Sequence, residues 1–167
     1  MAMTLNGTTG IVLPTAAAPA FSAYYNGSTA SVSSNTWTKI QFNAEDFDTN
    51  SNFDSTTNYR FTPTVAGYYQ LNACVSVSVS GSTTTPMSLA FYKNGSIYKG
   101  IYGYNYVGYP VTFTLSHIVY FNGSTDYVEV YQYLQGNTGG YTGSTLAPAS
   151  GTGSAQTIFS GSMIRSA

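Results

Sequence analysis

The sequence predicts an all-β fold, a sandwich of short antiparallel strands, and three observations lead there. No helical period survives in any long window, whereas apolar and small polar residues alternate strictly from Tyr68 to Ser80. Strand candidates recur between turn dipeptides at Asn26-Gly27, Gly81-Ser82, Asn94-Gly95 and Asn122-Gly123, the rhythm of a sandwich. Hydrophobic residues make up 43% of the chain and aromatic residues 16%, enough apolar surface to fill a core and too much for disorder.

In chain order, residues 1–19 are punctuated by Asn6-Gly7, Gly10, Pro14 and Pro19, too often for a helix. They are too few for a core, and the expectation is an extended stem or anchor ahead of one head domain at 20–167. Strands are expected at 20–25, 30–33, 37–43, on both sides of Pro63, and at 87–93, 96–102, 111–122, 126–135 and 156–165. Pro63 cannot donate to a ladder, so it ends the short strand Tyr59-Arg60-Phe61, and Ala66-Gly67 turns the chain into the long one. In that strand Tyr69, Leu71, Ala73, Val75, Val77 and Val79 point one way, and Tyr68, Gln70, Asn72, Cys74, Ser76 and Ser78 the other. Lys93-Asn94-Gly95-Ser96 is the clearest hairpin, because Asn-Gly accepts positive φ at both central positions. The Gly/Ser/Thr-rich stretch 136–154 reads as a long surface loop. The expected core includes Phe21, Phe42, Phe61, Tyr69, Leu71 and Phe159.

Charge and cysteine narrow the function. Only 7% of the 167 residues are charged and the net charge is -1, so the basic patch that nucleic acid demands is missing. No apolar run reaches the roughly 20 residues of a membrane span. No basic segment followed by an apolar one opens the chain, as a secretory signal would require. The single Cys74 leaves no internal disulfide, so stability must come from packing or from other subunits. The Gln70, Asn72, Cys74 and Ser76 row, with Tyr68 at its start and Thr112, Thr114 and Ser116 on the next long strand, is too neutral for an ordinary solvent face. Small side chains there would let copies of the chain approach closely, and a homotrimer is expected.

Several segments, in order, resemble the globular head of complement component C1q, in the tumour-necrosis-factor-like superfamily. They are Ala20-Phe21-Ser22-Ala23, Ile40-Gln41-Phe42-Asn43, Tyr59-Arg60-Phe61-Thr62-Pro63 through Gly67-Tyr68-Tyr69-Gln70-Leu71, Lys93-Asn94-Gly95, and Phe159-Ser160-Gly161-Ser162-Met163-Ile164. The resemblance implies a ten-stranded jelly roll packed as a trimer about a three-fold axis. Ser162 stands where that family carries a large apolar residue, and the aspartate-rich calcium loop and collagen-like stalk have no counterpart. The opening residues from Met1 to Pro14 look like the N-terminal or junction segments of bacteriophage tail and fibre proteins. That second resemblance implies a virion protein, with residues 1–19 docking it to other virion proteins.

Candidate chemistry is sparse, and no enzyme, cofactor or metal is expected. His117 is the only histidine and falls in the apolar row Val111, Phe113, Leu115, His117, Val119, Phe121, without the G-x-S-x-G turn of a hydrolase. Asp46, Asp48 and Asn50 imitate the start of a calcium loop, but Ser51 replaces its glycine and Thr57 its closing glutamate. That run reads instead as a polar loop anchored by Phe47 and Phe53. Nothing brings two of Glu45, Asp46, Asp48, Asp54, Asp126 and Glu129 to a shared sugar ring. Tyrosine is the unusual feature: Tyr98, Tyr102, Tyr104, Tyr106 and Tyr109 crowd one glycine-interleaved segment, expected to emerge at one end of the trimer. Tyr127, Tyr131 and Tyr133 line one face of a later strand. Such rings suit a recognition surface, including sugar stacking, and equally a subunit interface. The expectation is a non-enzymatic virion module, a fibre tip or decoration, binding a host-surface glycan. The alternative is a capsid or tail decoration protein with a purely assembling or stabilising role; behind it stand a polysaccharide-degrading enzyme and a cellular adhesion module.

Overall fold

The computed structural model describes residues 4–6, 10–12, 18–80, 84–105, 111–136, 138–141 and 157–167, all in strands, turns and extended connections with no helix among them. The strands are β1 (Thr4–Asn6), β2 (Gly10–Val12), β3 (Ala20–Tyr24), β4 (Ala30–Val32), β5 (Thr38–Lys39), β6 (Ala44–Asp48), β7 (Phe53–Asp54), β8 (Arg60–Phe61), β9 (Gly67–Ser80), β10 (Thr85–Lys93), β11 (Ser96–Asn105), β12 (Val111–Phe121), β13 (Val128–Leu134), β14 (Thr138–Tyr141) and β15 (Ile158–Ser166). β1 and β2 pair antiparallel with each other as a small ladder.

The rest form two sheets. One carries β11, β10 and β13 in order, with β5 and the β8–β7 pair side by side along the far flank of β13. The other is organised on β9: β12 covers one flank from Gly67 to Val77, while β15 and then β14 share the opposite flank. β3 and β6 continue outward from β15, and β4 from β14. Strand segments thus outnumber the ten implied by the resemblance. Single flanks of β9 and β13 are each covered by two short pieces.

Alternation decides which residues meet between the sheets. Tyr69, Leu71, Ala73, Val75 and Val77 of β9 are completely buried, facing Met87, Leu89 and Phe91 of β10 and Val128, Val130 and Leu134 of β13 in one core. Phe21, Phe42, Phe61 and Phe159 lie in it as well. Phe21 stacks on Phe61 with ring centroids 4.2 Å apart and meets Phe159 edge-on at 4.9 Å. Burying an aromatic ring of this kind contributes about 3–5 kcal/mol, judged by its loss on truncation. The Asn94-Gly95 hairpin has φ of 52° and 80° at its two central residues, the left-handed pair its sequence demands.

Three expectations need correction. The 136–154 stretch is not all loop, because Thr138–Tyr141 pairs with β9 and β4. The strand expected at 37–43 is only Thr38–Lys39: Ile40 still donates its amide to the Val130 carbonyl at 2.9 Å, but the ladder goes no further, and Ile40 and Phe42 lie buried in the core. In the acidic run, Phe53 is buried, but Phe47 is 51% exposed. Residues Ala44–Asp48 form an edge strand against β3, which turns Phe47 to the outer side of the sheet.

Candidate functional site

Two outer surfaces of the sandwich carry the residues singled out above. The first is the outer face of the β9 sheet. Thr112, Thr114 and Ser116 of β12 lie opposite Ser76, Cys74 and Asn72 of β9. On the other flank Ser162 and Ser160 lie opposite Gln70 and Asn72, and Ser22 opposite Ser160. The Tyr68, Gln70, Asn72, Cys74, Ser76, Thr112, Thr114 and Ser116 set therefore shares one face. Gln70 Nε2 donates to Ser116 Oγ at 2.8 Å, and Ser116 Oγ donates to Asn72 Oδ1 at 2.9 Å. These hydroxyls and amides are thus tied to one another across the two strands. Ser76 is completely buried, so the accessible part of the face stops short of it. Exposed apolar groups border the polar centre: Phe47, Ile118, and the Tyr68–Tyr120 pair with rings 5.3 Å apart.

His117 lies opposite Leu71 on the inward row, as its periodicity implies, yet it is only half-buried because β12 is a sheet edge. Its ring stands 5.9 Å from that of Tyr98 on β11, at the edge where β11 and β12 meet. The acids serve local structure. Asp48 accepts from the Phe53 and Asn50 amides at 2.6 and 3.2 Å, closing its own loop. Asp46 takes the Ser22 hydroxyl at 2.8 Å. Asp54 accepts from the backbone amides of Thr57, Thr56 and Asn58, which hold its carboxyl well below the usual range although burial works the other way. Among the described residues no three histidine, cysteine or acid side chains gather as a metal would require.

The second surface is the outer face of the β10 sheet. Tyr98, Tyr102 and Tyr104 are exposed there or at its edge; Tyr106 and Tyr109 lie outside the described residues. The tyrosine segment does not leave as a loop after residue 102. It continues as regular strand to Asn105, paired with β10 throughout. Gly103 faces inward, where a Cβ would come within 2.6 Å of the Phe113 ring, so this glycine lets β12 close against β11. Across the sheet, Tyr133 and Tyr102 both lie opposite Ser88, and Tyr131 and Gly100 both lie opposite Ala90. In the outward row of β10, Pro86 and Ser88 therefore form a low floor beside the tyrosines, and Ala90, next along, is buried.

Trp37 completes one wall. Its ring lies 5.4 Å from Tyr133 and 5.7 Å from Tyr92, which stacks on Tyr131 at 4.0 Å. Asn35, in a left-handed conformation at φ 55°, turns the chain into this position; its side-chain oxygen accepts from the Gly136 amide at 3.0 Å and the Tyr133 hydroxyl at 3.4 Å. Lys39 is paired to Glu129 at 2.6 Å beside Tyr131, so the nearest charges cancel. Burial pushes the Tyr131 and Tyr92 hydroxyls above their ordinary pKa, and a hydrogen bond with Tyr104 does so for Tyr102. These phenols remain neutral donors at any physiological pH. Sequence reasoning marked Tyr131 and Tyr133 but missed Trp37. The signal was there, as the only tryptophan of the chain sits in a polar stretch that supplies no other large apolar residue before Ile40.

This architecture is shared with known proteins. The globular domain of the zebrafish complement 1qA protein is 16% identical and superposes with a TM-score of 0.60 over 89% of this chain and 99% of that one. Murine APRIL is 9% identical, with a TM-score of 0.58 over 88% and 99% of the two chains. Eiger TNF from S. frugiperda is 10% identical, with a TM-score of 0.57 over 90% and 93%. The fold is thus that of C1q heads and tumour-necrosis-factor-like jelly rolls. No protein-family model matches the sequence. No curated protein matches it either.

Proposed function

We propose that this chain is a non-enzymatic, homotrimeric recognition module of a virus particle, a phage fibre tip or decoration, that binds a glycan on the host surface. The observation that carries the reading is the outer face of β9, β12 and β15, whose centre is uncharged, with Arg165 opposite Tyr68 at its rim. Gln70, Asn72, Cys74, Thr114, Ser116, Ser160 and Ser162 make a surface whose small neutral groups tolerate a second copy without burying charge. Self-association through this face leaves the aromatic face of the β10 sheet outward, repeated once per subunit. Repetition turns weak sugar contacts into avid ones. The viral setting is supported by the fibre-like opening residues and the neutral Ser/Thr/Asn/Gly-rich composition, and residues 1–19 would dock the head to the particle. Light scattering on the purified protein, followed by binding to host cells and to their extracted polysaccharide, tests the reading. A stable monomer at micromolar concentration, or no binding to host surface, overturns it.

A purely assembling role is the second reading. It is favoured by the exposed Ile118 and the Tyr68–Tyr120 pair bordering the neutral face, apolar groups that a subunit or neighbouring virion protein would cover. A trimer that stabilises particles yet ignores host polysaccharide would decide for it.

A further inference from the structure

We infer that the groove along β10, between Trp37 and Tyr133 on one side and Tyr102 on the other, is a binding site for an uncharged polysaccharide segment. The inference rests on the glycan-binding reading above and names where that glycan sits and its chemical class.

The floor is Ser88, flanked across the sheet by Tyr133 and Tyr102 in the same register row. Two strand spacings separate the two tyrosine Cα atoms, about 10 Å. That leaves room for one pyranose ring held between aromatic faces at contact distances of about 3.5–4 Å on each side. The cleft at this row has a volume of about 190 Å³ and is lined by Trp37, Pro86, Ser88, Tyr102, Tyr133 and Gln135, with Met87 beneath. Not one of these side chains is charged. Apolar sugar faces match the rings, while the Ser88 hydroxyl, the Gln135 amide and neutral phenols match sugar hydroxyls. The groove does not end at one ring. Its floor continues from Ser88 to Pro86, with Tyr104 on one flank and Gln135 on the other, while in the opposite direction Ala90 is only 1% exposed and closes it. A phosphorylated or acidic polymer would find no cation here, since Lys39 is committed to Glu129. The Trp37 ring is already braced by Tyr92 and Tyr133, so little ordering entropy opposes binding.

Trp37 is the only tryptophan, so its emission reports on this groove alone. The full chain is titrated with neutral oligosaccharides (maltohexaose, cellohexaose, mannohexaose, galactohexaose) and with extracted host polysaccharide, following emission and, in parallel, calorimetric affinity. The expected result is a saturable change in Trp37 emission with at least one glycan. Tyr102→Ala and the floor-filling Ser88→Phe should each weaken affinity at least about tenfold. Both positions face outward, and melting temperature checks that neither variant unfolds. Glycan binding without any emission change, and with unchanged affinity in both variants, overturns the groove while leaving the glycan reading intact. Preference for a charged polymer over every neutral one also overturns it. Failure to bind any glycan overturns both.

Discussion

Lys93 and Asp126 form an ion pair of 2.9 Å that joins two turns far apart in the chain. Lys93 also donates to the Tyr120 carbonyl at 2.7 Å, while Asp126 accepts from Asn94 Nδ2 at 2.7 Å and from the Asn122 amide at 3.1 Å. The β10–β11 hairpin is thereby fastened to the β12–β13 turn, and with it one sheet to the other. Asp126→Ala should lower stability by about 2–3 kcal/mol, because a charged hydrogen-bond partner is lost and Lys93 is left unpaired. Asp126→Asn should cost less, since it keeps the shape. Chemical denaturation of the two variants checks the order.

Acid should weaken the fold through two carboxyls. Burial alone would raise Asp126, but its bonds from Asn94, Lys93 and Asn122 outweigh that and lower it; Asp54 is lowered mainly by the Thr57 amide. A carboxyl lowered in the folded state contributes stability that is complete above its unfolded pKa and disappears as pH falls through the folded one. The loss should therefore begin near the ordinary value of 3.8 and deepen below it. Melting temperatures from pH 6 to pH 2 should stay level and then fall. The fall should be shallower in a chain carrying Asp54→Asn and Asp126→Asn.

The start of β9 is sensitive for two separate reasons. A Cβ at Gly67 would run into the Arg165 carbonyl of β15, so Gly67→Val must push that strand away. Tyr69 is completely buried, and its hydroxyl donates to the Val65 carbonyl at 2.8 Å, with burial pushing its pKa up to about 12. Tyr69→Phe should cost about 1 kcal/mol and Tyr69→Ala about 3–5 kcal/mol. Variants of both positions that melt like the parent would contradict this register.

Charge placed on the neutral face should separate assembly from folding. Asn72→Lys and Ser116→Glu add exposed groups on adjacent strands without touching the core. Each single variant should shift the proposed trimer toward monomer in light scattering, because like charges would meet around its axis. Unfolding of the isolated subunit should change little. An undisturbed trimer in both would place the contact elsewhere.

What could be read in advance followed the period-two signal. It was strong in β9 and β12, where small residues on one row and Val, Leu and Ala on the other leave no ambiguity, and their pairing places Asn72 beside Ser116 as the face required. It failed where pairing is decided by distant partners. Thr138–Tyr141 is glycine-rich and looks like loop, yet the open length of β9 beyond β15 accepts it as strand. Phe47 looks like core because it is aromatic, but an edge strand has an outer side and the register with Ser22 puts it there. The groove was half legible. Tyr131 and Tyr133 share a face by spacing, whereas Trp37 joins them only through the turn at Asn35, which no local pattern announces.

The two ion pairs, Lys39–Glu129 and Lys93–Asp126, are short and largely withdrawn from solvent, and few other charges exist to repel or attract one another. Dissolved ions therefore have little to screen. Melting in distilled buffer and in molar sodium chloride should nearly coincide, so the same head would hold its shape in fresh water, soil brine or sea.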